Sequence, residues 1–320
     1  MVNNGDLYLL AVNHATFLRA HEKIALLESL NNTESILKLK KHNLEQLLQR
    51  KILADWKPQV YLKSAEKDIK NLTGEKIRYT FYWDADYPPQ LREIYDPPFV
   101  LFYRGEMPAF DIPSLAVIGT RKPTGVARKA ARTFAFKLAQ RGIPVISGLA
   151  KGIDAEAHIG AIEAKGITVA VLGNGIDFMY PPSNSWIGRK ILMNNGAVIS
   201  EYSPGEAPLK RHFPERNRII SGLSTAVVIV QAPEKSGALI TADFALEQGR
   251  DLYVHTEGLK GLVSYGTRAL HSDGAPAVSS PAQIFKDRQD TTAQNSSGLK
   301  TTISSRLAES MKEELYGVHA

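Results

Sequence analysis

The sequence predicts an α/β protein with a doubly wound, mostly parallel sheet and a small all-helical segment in front of it. Between residues 115 and 255, six short apolar runs alternate with helical stretches that end at glycine. The runs are apolar throughout, which is typical of parallel strands that helices cover on both faces. We therefore expect an extended, Rossmann-like domain.

Each predicted element follows from a short piece of sequence. The predicted strands are LAVIG (115–119), PVISG (144–148), ITVAVLG (167–173), AVIS (197–200), TAVVIVQA (225–232) and DLYVH (251–255). The stretches VARKAARTFAFKLAQRG, DAEAHIGAIEAKG and ALITADFALEQG are predicted helices between them. Asp154 opens the second of these helices and is the predicted N-cap.

The chain divides into three predicted parts. Leucine and isoleucine recur at three- and four-residue spacing over residues 1–75, which predicts a helical domain. Aromatic residues and prolines dominate from 76 to 110, which favours short strands and turns that lead into the sheet domain, predicted over 76–285. Residues 286–320 form a polar tail with one short helix candidate, too short for a winged-helix domain.

Composition narrows the possible functions. The chain has 320 residues, 39 lysines and arginines against 33 acidic residues, a net charge of +6 and a pI of about 9.2, so an anionic partner is expected. Cysteine is absent, which excludes disulfides and thiolate chemistry and fits a reducing compartment. We expect no signal peptide, membrane span, metal site or cofactor, and the sequence contains neither a Walker A loop nor a G-x-S-x-G elbow.

Glycines and basic residues recur in the loops that follow the predicted strands. In a doubly wound sheet these loops meet at the carboxyl ends of the strands, where ligands bind. Four of five loops combine glycine with lysine or arginine: TRKPTG, GLAKGID, EYSPGEAPLKRHFPERNR and APEKSG. Glycine lets backbone N–H groups approach a phosphate, and helix N-termini and arginine add positive charge. The loops together predict a phosphate-binding groove, whereas any one of them alone would suit a solvated rim.

The segment RHFPERNRIISG, residues 211–222, places an aromatic residue among cations at a predicted helix start. Phe213 lies between Lys210 and Arg211 on one side and Arg216 and Arg218 on the other. Aromatic residues beside phosphate-binding cations are typical of grooves that stack the bases of single-stranded nucleic acid. Two alternatives stay open: Phe213 could fill the core below the loop, and Arg218 could brace the loop from inside.

Five ordered blocks across residues 115–255 resemble the DNA-processing protein A (DprA/Smf) family. They read VIGTRKPT, VISGLAKGIDAEAHIGAIEAKGITVAVLGNGIDFMYPPSN, ISEYSPG, HFPERNRIISGLS and SGALITADFALEQGRDLYV. Upstream, YPPQLREIYDPPFVLFYRG is similar to the family's entry into its extended Rossmann domain, and the helical segment is similar to its SAM-like or helix-hairpin-helix module. The chain departs from the family's pattern at Val126 and Ala127, where members often have tyrosine and glycine.

The resemblance implies a cytoplasmic, non-enzymatic DNA-binding protein with no cofactor. Such proteins bind and protect incoming single-stranded DNA, help to load the RecA recombinase in natural transformation, and form homodimers through the Rossmann domain. Matched by position in the motifs, the residues expected to line the DNA groove are Gly119, Thr120, Arg121, Lys122, Ser147, Gly148, Lys151, Lys210, Arg211, Phe213, Arg216, Asn217 and Arg218.

An enzyme is the alternative interpretation. Rossmann-type phosphoribohydrolases of the LOG type, which act on nucleoside monophosphates, have a P-G-G-x-G-T-x-x-E loop that would correspond to KSGALITADFALE, with Glu247 as the acid. Most of the glycines of that loop are absent here, and without them the backbone cannot close around a small phosphate. The sequence therefore favours DNA binding over nucleotide hydrolysis, and binding of a small nucleotide in the same pocket is a second alternative.

Overall fold

A nine-stranded sheet forms the centre of the molecule. The computed structural model describes residues 4–30, 32–74, 76–109 and 112–285. The strands are β1 Arg78–Phe81, β2 Val100–Gly105, β3 Leu115–Ile118, β4 Val145–Ser147, β5 Thr168–Val171, β6 Ala197–Ser200, β7 Ala226–Ile229, β8 Asp251–His255 and β9 Ala277–Val278.

The order of the strands confirms the predicted fold class. Across the sheet it is β1-β2-β6-β5-β4-β3-β7-β8-β9. From β6 to β9 all neighbouring strands are parallel, whereas β2 is antiparallel to both β1 and β6. The chain moves outward from β3 to β6 and then returns to the other side of β3 at β7. This reversal is the switch point at which doubly wound sheets bind ligands.

Helices precede the sheet and connect its strands. Before β1 lie α1 Asn4–Asn13, α2 Ala20–Glu28, α3 Ser35–Lys38, α4 Lys41–Leu48 and α5 Pro58–Gly74. The later helices are α6 Pro89–Arg92, α7 Gly125–Ala139, α8 Ile153–Glu163, α9 Ser185–Met193, α10 His212–Gly222, α11 Gly237–Glu247 and α12 Tyr265–Ser272. Within the described residues, none of the helices is both long and apolar enough to span a membrane.

Two local predictions need correction. The run TAVVIVQA gives only four strand residues, because its partner β3 ends at Ile118 and the buried residues beyond Ile229 belong to the following loop. The prediction that Asp154 is the N-cap of α8 is wrong: Gly152 occupies the N-cap, and Asp154 lies in the first turn. Its carboxylate instead accepts a hydrogen bond from the Gly148 N–H, at 3.2 Å.

One hydrophobic cluster joins the helices before β1 to the sheet. It contains Leu10, Ile24 and Leu44 from the helices, together with Phe102 and Val198 from the strands, all of them buried. The cluster therefore extends across the predicted domain boundary at residue 75, and the division into domains remains a prediction. The predicted tail over 286–320 lies outside the described residues.

Candidate nucleic-acid interface

Helices follow the parallel strands of the sheet and begin at its carboxyl edge. The helices α7, α8, α10 and α11 follow β3, β4, β6 and β7, so their N-terminal ends face the same edge. The side chain of Thr124 caps α7 by accepting a hydrogen bond from the Ala127 N–H at 3.2 Å, and Ser236 caps α11 in the same way. The helix N-termini give this edge a partial positive charge.

Five of the predicted site residues are exposed cations in the loops of this edge. They are Arg121 and Lys122 after β3, Lys151 after β4, and Lys210 and Arg211 ahead of α10. Within the part of the chain that the structure describes, none of the five is within ion-pair distance of a carboxylate. Their charges are therefore available to an anionic ligand.

Phe213 lies between the loops of three strands and is half-buried. Its ring centroid is 5.6 Å from that of Tyr180, and the Arg121 guanidinium lies over the ring at 5.5 Å. Gly173 makes room for the ring, since a Cβ atom there would come within 3.0 Å of Phe213 Cδ1. Phe213 is therefore neither a fully buried core residue nor an isolated surface residue, and it keeps part of its ring at the surface beside a cation.

The loops after β3 and β4 pack closely against each other through a glycine. Gly152 has φ +83°, and a Cβ atom there would lie 2.4 Å from the Thr120 carbonyl oxygen. That oxygen accepts a hydrogen bond from the Ile153 N–H at 3.2 Å, which ties the start of α8 to the first loop. Only glycine fits this backbone and this contact, so the two basic loops are held side by side.

Arg216 supports the second loop from inside and is 4% exposed. Its Nη1 donates to the carbonyl oxygen of Gly148 at 2.9 Å and to that of Val171. A Cβ atom at Gly148 would lie 2.8 Å from Arg216 Nη2 and 2.7 Å from Asp154 Oδ2, so Gly148 fits tightly between these two groups. Burial lowers the pKa of Arg216 to about 10 and raises that of Asp154. Arg216 is still charged at neutral pH, but its guanidinium is bound by the protein.

Arg218 has the internal bracing role that was one of the two alternatives. Its guanidinium donates to both carboxylate oxygens of Glu201, at 2.7 Å each, and to the carbonyl and carboxylate of Asp96. Burial disfavours its charged form, but the ion pairs with Glu201 and Asp96 outweigh burial and raise the pKa of Arg218. All three guanidinium nitrogens therefore donate within the protein rather than toward the groove.

The other predicted site residues also act mainly as supports. The Ser147 hydroxyl is fully buried and donates to the Val117 carbonyl oxygen at 2.8 Å. Asn217 accepts from Arg216 Nε at 3.3 Å and donates to the Gly237 carbonyl oxygen at 3.1 Å. The supporting residues of the predicted set are Gly119, Thr120, Ser147, Gly148, Arg216, Asn217 and Arg218.

Two aromatic residues of this edge do not belong to the set predicted from the sequence. Phe178 and Tyr180, in the loop after β5, are each 37% exposed, and Tyr180 contacts Phe213. The signal was the segment DFMYPPSN, in which aromatic residues stand in a loop at the carboxyl end of a strand. That loop contains no lysine or arginine, so the pattern of glycine with basic residues does not include it.

Catalytic groups of the alternative enzyme are not brought together at this edge. Glu247, the acid of that alternative, is the last residue of α11, whose N-terminus is at the carboxyl edge. At 1.5 Å per residue it lies about 15 Å along the helix axis, toward the opposite edge. Over the described residues, no cluster of three or more His, Asp or Glu side chains could hold a metal ion.

The fold and site define an α/β protein whose sheet edge offers unpaired cations and part-exposed aromatic rings to a ligand. The family model described as DNA recombination-mediator protein A matches residues 78–289. The chain belongs to this family, and the resemblance to DprA/Smf proteins is confirmed.

Individual relatives agree with this assignment. The chain is 35% identical to the protein Smf of Borreliella burgdorferi over 278 residues, which are 87% of each chain. It is similar to the X-ray structure of DNA processing protein A from Streptococcus pneumoniae, with a TM-score of 0.71, 32% identity and coverage of 89% of this chain and 98% of that one. The structure of DNA processing protein A from Helicobacter pylori, described by its single-stranded DNA binding mode, gives a TM-score of 0.59 and 30% identity over 67% of this chain and 97% of that one.

Proposed function

We propose that this protein binds single-stranded DNA along the carboxyl edge of its sheet. One observation carries the proposal: five exposed cations without carboxylate partners, counted over the described residues, occupy the loops around the contact between Phe213 and Tyr180. Cations bind the phosphates of any sequence, and aromatic rings stack on any base. The relative from Helicobacter pylori, described by its single-stranded DNA binding mode, supports this choice of ligand.

A single strand suits this edge better than a duplex does. Base stacking on Phe213 or Tyr180 requires a base whose face is free, and the faces of bases in a duplex are covered by their neighbours. Extruding a base from a duplex costs a few kcal/mol. The proposed direct contacts are the exposed cations and Phe213, and the buried members of the predicted set hold the loops in place.

The wider role proposed for the protein is that of a recombination mediator. It would protect incoming single strands, help to load RecA during natural transformation, act in the cytoplasm as a homodimer through its sheet domain, and catalyse no reaction. The family assignment supports this role. Separate helical and sheet domains, divided near residue 75, are part of the same proposal.

Fluorescence anisotropy of labelled oligothymidine tests the proposed function. We expect strong binding to a strand of about 20 nucleotides, much weaker binding after annealing, and a steep loss of affinity with salt. The variant Lys151→Gln/Lys210→Gln removes two exposed cations of the groove. It should reduce the slope of log K against log salt by about 1.4, because each phosphate that a cation neutralises on a single strand contributes about 0.7 to that slope.

The matched control is Arg141→Gln/Lys165→Gln. Both residues are exposed and follow the C-terminal ends of α7 and α8, at the opposite edge of the sheet. This double variant loses the same charge and should bind oligothymidine like the unaltered protein. If the unaltered protein bound no single strand even at low salt, the proposed function would be wrong, and nucleotide hydrolysis would be assayed next.

A further inference from the structure

A second basic site lies beside the groove, where α9 covers β2. It is an open cleft of about 280 Å³, just below the range of about 300–1,000 Å³ for small-ligand pockets. We call it the α9 cleft, and it is lined by Arg104, Asp177, Met179, Ser185, Arg189 and Leu192. None of these residues belongs to the set predicted from the sequence.

Two guanidinium groups give the α9 cleft its charge. Arg104, on β2, reaches across to donate to the Asp177 carbonyl oxygen at 3.5 Å, and Arg189 is an exposed residue of α9. Over the described residues, neither arginine is ion-paired with a carboxylate. The one acidic side chain of the lining, Asp177, accepts a hydrogen bond from the Gly205 N–H at 2.8 Å. Two arginines against one occupied carboxylate leave the cleft with a net positive charge, which suits a phosphate.

An exposed tryptophan stands beside the cleft on the same helix. Ser185, Arg189 and Leu192 follow helical spacing and face the cleft, and Trp186 begins the neighbouring row with Lys190. The Trp186 side chain is 42% exposed, and Lys190 Nζ lies over its ring at 5.3 Å. A cation and an aromatic face thus lie side by side on the next row of α9, one helical position round from the residues that line the cleft.

The α9 cleft and the groove share the loop after β5. Met179 lines the cleft, and the next residue, Tyr180, contacts Phe213 with the ring centroids 5.6 Å apart. Phe178, which is 37% exposed, precedes them in the same loop. Exposed aromatic residues therefore run from the groove to α9 without a break in the chain that carries them.

We propose that a single strand held over Phe213 continues across Tyr180 into the α9 cleft, where Arg104 and Arg189 bind a phosphodiester and Trp186 stacks on a base. This inference rests on the proposed function and extends the strand path from the carboxyl edge of the sheet along α9 toward β2. The cleft is open on one side, so it would hold a free phosphate or small nucleotide weakly. A strand that is already bound at Phe213 enters the cleft at high effective concentration and is therefore the better ligand.

The length of the DNA tests this proposal. Single-strand grooves have site sizes of about 4–16 nucleotides, so of labelled oligothymidines of about 6 and about 20 nucleotides only the longer one would fill both sites. Arg104→Gln/Arg189→Gln should weaken binding of the longer strand by about tenfold and lower its salt slope by about 1.4, and leave binding of the short strand unchanged. Because Arg104 is half-buried, the exposed single variants Arg189→Gln and Trp186→Ala are measured in parallel, and each should show a smaller loss on the longer strand only.

The outcomes separate this inference from the proposed function. Arg141→Gln/Lys165→Gln again controls for charge and should change neither affinity. If the double variant and the unaltered protein bound the longer strand with equal affinity, the proposed role of the α9 cleft would be wrong, and the proposed groove would not be affected. An equal loss on both lengths would also overturn that role, because the arginines would then act through the groove. Failure of the unaltered protein to bind either strand would overturn the proposed function itself.

Discussion

At the scale of single residues, the three arginines of RHFPERNRIISG have different roles. Arg211 is exposed, Arg216 supports the loop after β4, and Arg218 binds Glu201 and Asp96. The burial of Arg216 follows the helical period, since it shares a face of α10 with His212, Ile219 and Ile220. Burial of the charged Arg216 is tolerated because its guanidinium donates to the carbonyl oxygens of Gly148 and Val171 and lies near the negative charge of Asp154.

Phe213→Ala tests the stacking role of the aromatic ring. If a base stacks on Phe213, the variant should lose about 1–3 kcal/mol of binding free energy for oligothymidine, with little change in the salt slope because no charge is lost. Anisotropy titrations at several salt concentrations measure both quantities. Phe213→Leu, which keeps an apolar side chain over Gly173 without the aromatic face, should lose nearly as much. Unchanged affinity in a folded Phe213→Ala protein would remove stacking from the proposal.

At the scale of elements, α10 connects the groove to the helices before β1. Its Arg218 pairs with Asp96 ahead of β2 and with Glu201 after β6. The same two carboxylates act on Lys23 of α2, a buried lysine whose Nζ donates to the Asn13 carbonyl oxygen at 2.9 Å. Burial lowers the pKa of Lys23 to about 8, against the attraction of these carboxylates. A network of two buried cations and two partly buried carboxylates therefore fixes α10, the end of β6 and α2 relative to one another.

Arg218→Ala should lower the free energy of unfolding, and this loss of stability should be its main effect. Removing one partner of a buried ion pair costs up to about 3–5 kcal/mol, and here the cost comes mainly from Glu201, which is 15% exposed and would lose its partner, whereas Asp96 is 34% exposed and partly solvated. Urea denaturation followed by circular dichroism measures the loss in free energy of unfolding. Arg211→Ala, an exposed neighbour without a carboxylate partner among the described residues, is the control and should change stability by less than about 0.5 kcal/mol. If the variant lost DNA affinity but kept full stability, Arg218 would instead be a residue that contacts DNA in the groove.

The sequence predicted elements better than it predicted which side chains face the ligand. The six strands were found because short apolar runs between helical stretches, such as LAVIG, are typical of strands covered on both faces. The exposed cations of the candidate site could be predicted, because their charge and their position in a loop after a strand are both visible in the sequence. The sequence could not distinguish Arg121 from Arg218, since burial of a cation depends on acceptors brought from distant parts of the chain, here Asp96 and Glu201.

At the scale of the whole molecule, buried neutral histidines link stability to pH. His158 is fully buried, its Nδ1 is 2.8 Å from the Thr168 hydroxyl, and burial lowers its pKa to about 3. Burial also lowers the pKa values of His212 and His255. Each of these groups takes up a proton more readily in the unfolded chain than in the folded one. Their contribution to stability is therefore complete above the ordinary histidine pKa of about 6.5 and is lost as the pH falls below it.

Acid titration of stability tests the role of His158. We expect the free energy of unfolding to decrease between about pH 6.5 and 3, with His158 alone contributing on the order of 4 kcal/mol of the decrease. His158→Gln, which is neutral throughout, should flatten this decrease, as measured by urea denaturation at a series of pH values. His42→Gln, at an exposed position of α4, should leave the profile unchanged. A profile for His158→Gln as steep as that of the unaltered protein would contradict the prediction.

The hydrophobic cluster shared by the early helices and the sheet has a consequence for synthesis on the ribosome. Leu10, Ile24 and Leu44 are made first, but their partners in the cluster include Val198 of β6. At about 5–20 residues per second, the nascent chain spends roughly 6–25 s between completing α5 and completing β6. During that interval the part of the cluster that α9 and β6 complete is uncovered, so we expect the nascent chain to be a substrate for the chaperones that bind exposed apolar segments. Slow translation between α5 and β6 would lengthen this exposure, whereas slow translation after β6 would not.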